Sequence, residues 1–371
     1  MQINVQKTKI VVYRNGGRLA NKEVWYLNNN TIEVVPKFRY LGLQFSSSGL
    51  WSAAQAELAR RASRGMFCIK NFAYNSKIHD VNILLKLFDS CIGPILNYGS
   101  EIWGFHQGTD IERVCDNFYK FTTKLPRNCN NIAARGELGR NKAFVKRYIR
   151  IIKYWLKLIS TSSECSLLLQ KAYKLQVKMD SEGKTVWASD IRTLLCCLGF
   201  SQEWQTQKVE DNAAFLKNCR ERLSYMDRKQ FSMDVLNSPR LQFYAHMKLE
   251  LRLSDYWNCE LPFCMKSNFC RLLCSGHSLT IETGRRINIP RHERVCNLCN
   301  LGEVEDEVHF ILKCPTLQQL RVNYIPPEYW SMPGWNTVLS LIINPVHLES
   351  LIKYCFYASK RREKLLSVGN R

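Results

Sequence analysis

Three cysteines and one histidine near the C-terminal end have the residue types and spacing of a metal site. Two residues separate Cys296 from Cys299, nine separate Cys299 from His309, and four separate His309 from Cys314. A CxxC turn brings two thiolates onto one ion, and tetrahedral zinc takes four soft or borderline ligands. The pattern therefore predicts one structural Zn²⁺ ion, with His309 and Cys314 at the two ends of about one and a half turns of helix.

Arginines close to this segment predict a surface for nucleic acid. A zinc knuckle typically presents a few basic and aromatic groups to single strands. The acidic stretch from Glu303 to Glu307 argues against phosphate contact at one edge, and it predicts pairing with neighbouring arginines or capping of a helix. The predicted contacts are Arg285, Arg286, Arg291 and Arg294.

A second group, Cys264, Cys270, Cys274 and His277, also contains metal-compatible residue types. Its spacing matches no zinc site, and phenylalanines and leucines lie between its members. Buried free cysteines behave as small apolar residues. We therefore expect this group to be part of a packed core.

The chain as a whole is strongly basic. Its 371 residues include 53 Lys and Arg against 32 Asp and Glu, giving a formal charge of +21 and a pI near 9.4. Such a surplus attracts polyanions in a salt-dependent way. RNA and DNA are therefore the expected partners, bound largely without regard to sequence.

Other compositional features narrow the class of protein. No run approaches the roughly 20 apolar residues that a membrane span requires, so no membrane partner is expected. The 16 cysteines lie in a long chain whose start has no signal-peptide pattern, which predicts reduced thiols in the nucleus or cytoplasm. Composition does not indicate an oligomeric state.

The elements that must position these residues follow from periodicity. The first 45 residues read as strands at Lys9–Tyr13, Val24–Leu27, Thr31–Val35 and Phe38–Phe45. Helical periodicity follows from about Trp51 onward. The expected fold class is mostly α with a small N-terminal antiparallel β meander (α+β) and a small zinc knuckle. Helices are predicted at about 52–73, 79–98, 109–125, 142–160, 164–178, 187–199, 209–225, 239–253 and 346–366, with a linker at 177–184.

The predicted helix at 142–160 has a basic face. Lys142, Lys146, Arg150, Lys153 and Lys157 recur at spacings of four, four, three and four. No acidic residue occurs between Glu137 and Glu164, so this face is expected to project unneutralised charge along a phosphate backbone. A merely solvated helix face is the alternative. The opposite face is apolar and includes Val145, Tyr148, Ile149, Ile152, Trp155, Leu156 and Ile159.

Three stretches resemble the reverse transcriptases (RNA-directed DNA polymerases) of LINE-type, non-LTR retrotransposons of the jockey kind. They are NVQKTKIVVY with FRYLGLQFSSSG, then PILNYGSEIWG with RGELGR, and finally IETGRRINIPRHERVCNLC with EDEVHFILKCP. Together they run from residue 4 to residue 315. The first and third are the more specific.

The resemblance implies roles for individual residues. Lys7 or Lys9 would lie beside the incoming nucleotide, and a hairpin of Phe38, Arg39, Tyr40, Leu41 and Gly42 would grip the primer end. The implied domains are a palm remnant at 1–49, a helical thumb-like region at 50–176, a helical C-terminal region at 185–285, a CCHC knuckle at 286–325 and a basic amphipathic helix at 326–371.

One departure from the family decides the expected activity. Its polymerases hold two magnesium ions with palm carboxylates, including a Tyr-x-Asp-Asp turn, whereas this sequence has no Asp-Asp pair. We therefore expect a truncated fragment of the transposable element that binds zinc and nucleic acid, has no catalytic residues of its own, and would meet Mg²⁺ only in a complete polymerase. A host-adopted zinc-binding adaptor for protein contacts is the alternative. A different enzyme is disfavoured, because no G-x-S-x-G, Gly-rich phosphate loop or HExxH motif occurs.

Overall fold

A computed structural model of the chain describes residues 4–13, 24–27, 29–106, 108–160 and 167–369. It is predominantly helical, with two small antiparallel sheets near the N-terminus, which confirms the predicted fold class. The strands are β1 Trp25–Leu27, β2 Asn30–Ile32, β3 Lys37–Tyr40 and β4 Leu43–Ser46. They form two separate hairpins, β1–β2 and β3–β4. In the predicted strand Lys9–Tyr13, Ile10 forms one parallel bridge with Val34.

The helices account for most of the described chain, and none of them within it is both long and apolar enough to cross a membrane. In chain order they are α1 Ser52–Asn75, α2 Val81–Leu87, α3 Gly93–Leu96, α4 Ser100–Trp103, α5 Thr109–Thr123, α6 Asn131–Glu137, α7 Ala143–Ser160, α8 Leu167–Ser181, α9 Trp187–Cys197, α10 Ser201–Thr206, α11 Asn212–Leu236, α12 Gln242–Met247, α13 Phe263–Leu273, α14 Thr280–Arg286, α15 Gln318–Tyr324, α16 Trp335–Ile343 and α17 Pro345–Gly369.

Several predicted boundaries need correction. The helix expected at 79–98 runs without a gap from Val81 to Leu96, as α2, a π-helical turn at Phe88–Ile92 and α3, and Pro94 supplies no N–H to its hydrogen-bond ladder. The linker predicted from Val177 is shorter, since α8 continues to Ser181. The helix expected at 239–253 stops at Met247, where Lys248 adopts extended backbone.

The described residues form two compact units, each assembled from separate stretches of chain. The first takes Met1–Tyr74, Lys86–Cys115 and Lys142–Ser224. Its core is built around α7, whose predicted apolar face packs with residues of α9 and α11. Trp155 is fully buried there, and its indole N–H donates to the Tyr173 hydroxyl at 2.8 Å.

The β3–β4 hairpin is held from behind by side chains of the same unit. Leu41 and Gly42 form its turn with positive φ angles of 46° and 84°, the conformation that a tight two-residue hairpin requires. The Tyr98 hydroxyl donates to the Leu41 carbonyl at 2.7 Å, and the Arg61 guanidinium approaches the Gly42 carbonyl at 3.5 Å. The turn is thereby fixed while the Tyr40 and Leu41 side chains remain exposed.

The second unit takes Asn75–Leu85, Asp116–Asn141 and Tyr225–Arg371, and it includes the RGELGR stretch. The fully buried Glu137 accepts hydrogen bonds from the hydroxyls of Tyr244 and Ser254, each at 3.0 Å, and from that of Tyr256. Lys248 Nζ lies 3.6 Å from the same carboxylate. A buried charge needs such partners, because its desolvation is otherwise uncompensated. The Glu137 carboxylate of this stretch therefore links four residues of the unit through one buried group.

Candidate metal centre and basic surfaces

The four predicted ligands come together in the second unit. One donor atom from each of Cys296, Cys299, His309 and Cys314 can be chosen so that all four lie within 4.8 Å of one another. Bonds of about 2.0 to 2.3 Å in a tetrahedral site put ligand atoms roughly 3.3 to 3.8 Å apart. Cys299 Sγ and His309 Nε2, at 3.5 Å, already have that separation. Within the described residues, this is the group that could hold a metal ion.

A short antiparallel contact positions the first pair of ligands. Val295 bridges Val304, and the Cys296 N–H donates to the Glu303 carbonyl at 2.9 Å, which closes the loop that carries CxxC. The Leu298 N–H points at Cys296 Sγ from 3.4 Å. Backbone N–H groups aimed at sulfur favour the thiolate, the form that binds metal.

The second pair of ligands is positioned by a π-helical turn at His309–Lys313. The Cys314 N–H donates to the His309 carbonyl at 2.8 Å, five residues back. Asp306 caps the start of the turn by accepting from the His309 N–H at 2.9 Å. The predicted helical turn and a half is therefore present in its wider π form, which is common at functional sites.

The imidazole of His309 has a partner on the side away from the other ligands. Its Nε2 faces Cys299 Sγ, while its Nδ1 lies 3.4 Å from Glu303 Oε2, which also accepts from Lys313 Nζ at 3.0 Å. Metal-binding histidines usually donate their second N–H to a carboxylate, which fixes the ring orientation. The residues present therefore fit a metal ion bound through Nε2.

Glu305 joins this centre to two helices. Its carboxylate is 1% exposed and pairs with both sides of the Arg362 guanidinium, from Nε at 2.6 Å and from Nη2 at 2.7 Å. The Thr280 N–H at the start of α14 donates to the same carboxylate at 2.7 Å. Cys296 Sγ lies 4.0 Å from it. Arg362 belongs to the basic cluster at the C-terminal end of α17, but it is buried and unavailable to phosphate.

Two of the thiols shift in opposite directions. Interaction with the Cys314 side chain raises the pKa of Cys296, and interaction with the Cys296 side chain lowers the pKa of Cys314. A bound cation would favour the thiolate form of both sulfurs. Metal binding at this centre is therefore expected to release protons.

The acidic stretch caps the π-helical turn through Asp306, as the sequence predicts, but its glutamates pair with Lys313, His277 and the distant Arg362 and not with the neighbouring arginines. The predicted arginines around it are engaged to different degrees. Arg285 pairs with Glu282, and Arg294 donates to the carbonyls of Ile289 and Ile281 at 2.8 and 3.0 Å. Arg291 contacts Gln242 Oε1 at 2.9 Å, whereas the exposed Arg286 has no such partner in the described part of the chain.

The prediction that the second cysteine group lies in a packed core is confirmed for Cys270 and Cys274 and is wrong for Cys264. Cys270 and Cys274 are fully buried, with their sulfurs 4.0 Å apart, and Cys264 is exposed. His277 instead pairs with Glu307 at 3.0 Å.

The basic face of α7 has more ion-pair partners than predicted. Lys146 pairs with Asp89 at 2.6 Å, and Arg150 lies 3.3 Å from Glu101 while donating to the Asn97 carbonyl at 3.0 Å. The expectation of unneutralised charge is wrong for these two residues, because acids distant in sequence supply the partners. Lys153 is exposed without a partner among the described residues. Lys142 and Lys157 have interactions of their own.

The structure also shows where the N-terminal residues that are predicted to contact nucleic acid lie. Lys9 pairs with Glu33, and the backbone N–H of the exposed Lys7 donates to Asn4. Phe38 and Arg39 lie on β3, next to the exposed turn described above.

The sequence pattern did not single out Arg147, which lies on α7 and is buried. Its guanidinium is 3.9 Å from Glu112 and lies over the Trp103 ring at 5.9 Å. Burial lowers the pKa of Arg147, and Glu112 works against that change. Helical spacing carries a signal for it, because Arg147 stands outside the spacing of the basic face and precedes the buried Ile151 and Trp155 by four and eight residues.

Comparisons with known proteins give one informative match. A transposon-derived protein of Caenorhabditis elegans is 33% identical over 120 residues, which cover 31% of this chain and 40% of the worm protein. No family model matches the chain, and no solved structure matches it. The chain thus resembles under half the length of that relative.

Replacing Cys299 tests the metal centre. The Cys299→Ser variant should lose the bound ion, because a hydroxyl does not replace a thiolate on zinc, and residues near 290–320 should lose their protection from hydrogen exchange. Metal analysis of the purified protein measures the first effect. Cys264→Ser is the matched control, since Cys264 is exposed and outside the cluster. Equal metal content in the two variants would contradict the assignment.

Replacing Arg362 tests the link to α17. Arg362→Ala leaves the Glu305 carboxylate buried without its main partner, which should cost about 3 to 5 kcal/mol in unfolding free energy. Metal affinity should fall by about 10- to 100-fold, because the support behind Cys296 is lost. Denaturation and competitive chelation measure these effects. The exposed neighbour Arg361 provides the control, Arg361→Ala. If both variants keep wild-type metal affinity, Glu305 does not support the centre.

Proposed function

We propose that this chain is a nucleic-acid-binding C-terminal part of a non-LTR retrotransposon reverse transcriptase, with one structural zinc and no polymerase active site. The cluster of Cys296, Cys299, His309 and Cys314 carries the proposal. It belongs to one of the two more specific stretches of the resemblance, and its four donor atoms lie within 4.8 Å of one another. The similarity to a transposon-derived worm protein supports a transposable-element origin.

Zinc is the ion that the donor set favours. Three thiolates and one imidazole suit zinc, whereas Mg²⁺ and Ca²⁺ prefer oxygen ligands. The site has four protein ligands and leaves no open position for substrate, which is typical of a structural ion. Its chemistry is therefore to hold the segment around Cys296 and Cys314 in shape.

Nucleic-acid binding is supported by the charge of +21 and by its distribution. Lys153 and Arg286 are exposed cations without partners among the described residues. Lys146 and Arg150 are exposed as well, but they would have to leave Asp89 and Glu101 to reach phosphate. The exposed tip of the β3–β4 hairpin, Tyr40 and Leu41, could pack against a primer end in a complete polymerase.

The salt dependence of binding tests this proposal. Affinity for a duplex should fall steeply with salt, and Lys153→Ala should lower the slope of log affinity against log salt by about 0.7 to 0.9. Lys146→Ala should lower it less, because its ammonium is paired in the free protein. Lys178→Ala, on α8, is the control for general charge loss. Binding that survives high salt, or equal slopes in all three variants, would favour a protein-interaction adaptor.

Primer extension tests the absence of an active site. The purified chain should give no template-dependent product with Mg²⁺ and a matched primer, because phosphoryl transfer needs carboxylates that hold the metal ions. The acidic residues among the first 45 are Glu23 and Glu33, and Glu33 is paired with Lys9. A complete polymerase run in parallel provides the positive control. Extension by this chain that is abolished by Glu33→Gln would contradict the proposal.

A further inference from the structure

The first unit contains a pocket that neither zinc binding nor phosphate contact uses. Its volume is about 310 Å³, and it lies among α4, α7, α8 and α9. Aromatic rings and acidic groups share its wall, a combination that differs from the basic surfaces described above. The residues that matter here are Trp187, Tyr154, Tyr173, Glu101, Asp190 and Gln176.

Two tyrosine rings each lie nearly perpendicular to the Trp187 ring. The Tyr154 ring is 5.9 Å from the Trp187 ring at an interplanar angle of 79°, and the Tyr173 ring is 6.4 Å from it at 76°. Rings at such angles can present π-faces to one enclosed group from more than one side. Organic cations are attracted to such faces.

Hydrogen bonds within the protein hold two of the aromatic side chains that line the pocket. The Trp187 indole N–H donates to the Glu101 carbonyl at 2.9 Å, and the Tyr173 hydroxyl donates to Gln207 Oε1 at 2.6 Å. Burial raises the pKa of Tyr173 to about 12, so this side chain stays neutral at physiological pH. Preorganised walls reduce the entropy cost of binding.

Three of the side chains that line the pocket, Asp190, Gln176 and Glu101, offer acceptor atoms. Asp190 has no ion-pair partner among the described residues, and burial raises its pKa while nearby His106 opposes that rise. Gln176 Oε1 is buried without a hydrogen-bond partner. The Glu101 carboxylate adds a second negative charge, although Arg150 lies 3.3 Å away. The two carboxylates disfavour a phosphate or carboxylate ligand here.

We propose that this pocket binds a guanidinium or ammonium group, presented by a basic segment of a partner polypeptide. Such a group combines a positive charge for the aromatic faces with several N–H donors for Asp190 and Gln176. A free amine has the same chemistry and is the other possible source. The site does not depend on the proposed polymerase ancestry.

Calorimetry on the full chain tests this site with defined probes. Capped arginine and lysine peptides should bind, whereas the citrulline analogue of the arginine peptide, which has the same shape without the charge, should not. Asp190→Asn should weaken binding by about tenfold, since it removes the charge next to the cation. Ala172→Trp should abolish binding by filling the pocket. Asp180→Asn, a carboxylate of α8 paired with Arg192 outside the pocket, should bind as the wild type does.

The remaining outcomes are decisive as well. Agmatine binding as tightly as the arginine peptide would identify a small amine as the ligand and would keep the cation site. Adenosine or cytidine binding that survives Asp190→Asn would make the pocket a nucleobase site and overturn the proposal. Failure of every cation to bind would overturn it too. If Asp190→Asn does not fold, the Ala172→Trp result decides, because that variant leaves the charges in place.

Discussion

The buried pair of Glu305 and Arg362 is the interaction on which the metal-binding region depends. A carboxylate that is 1% exposed would be strongly destabilising alone, and two parallel N–H donors from one guanidinium compensate it. Through the same carboxylate, the start of α14 and the sulfur of Cys296 are fixed relative to α17. The segment that carries the ligands is therefore anchored by a helix far along the chain.

The four metal ligands could be predicted from the sequence because their pattern is local. A CxxC turn and a histidine five positions before a cysteine lie within one short segment, and the chemistry of zinc restricts the residue types. The residues that support the ligands are only partly close to them in sequence. Glu303 lies near His309, but Arg362 is separated from Glu305 by 57 residues. In the sequence, Arg362 looks like a surface residue of a basic cluster.

The basic face of α7 shows the limit of the same reasoning. Periodicity correctly placed its apolar side in the core, because burial follows the helical repeat. Counting acids along the helix could not find Asp89 or Glu101, which belong to other segments. Short helices such as α6 and α14 were also missed, since seven residues carry too few turns for a clear repeat. Neither did the sequence indicate the aromatic pocket, which needs four helices to assemble.

The π-helical turn between His309 and Cys314 limits how this segment can evolve. A π turn holds one residue more than an α turn between the same hydrogen-bonded ends, so removing one residue from Phe310–Lys313 would restore ordinary helical geometry and leave Cys314 closing the turn on the His309 carbonyl. Exchanging one apolar residue there for another of similar volume would leave both ligands in place. Homologous chains that keep the metal should therefore vary in the composition of this run, and a run one residue shorter should still carry both ligands.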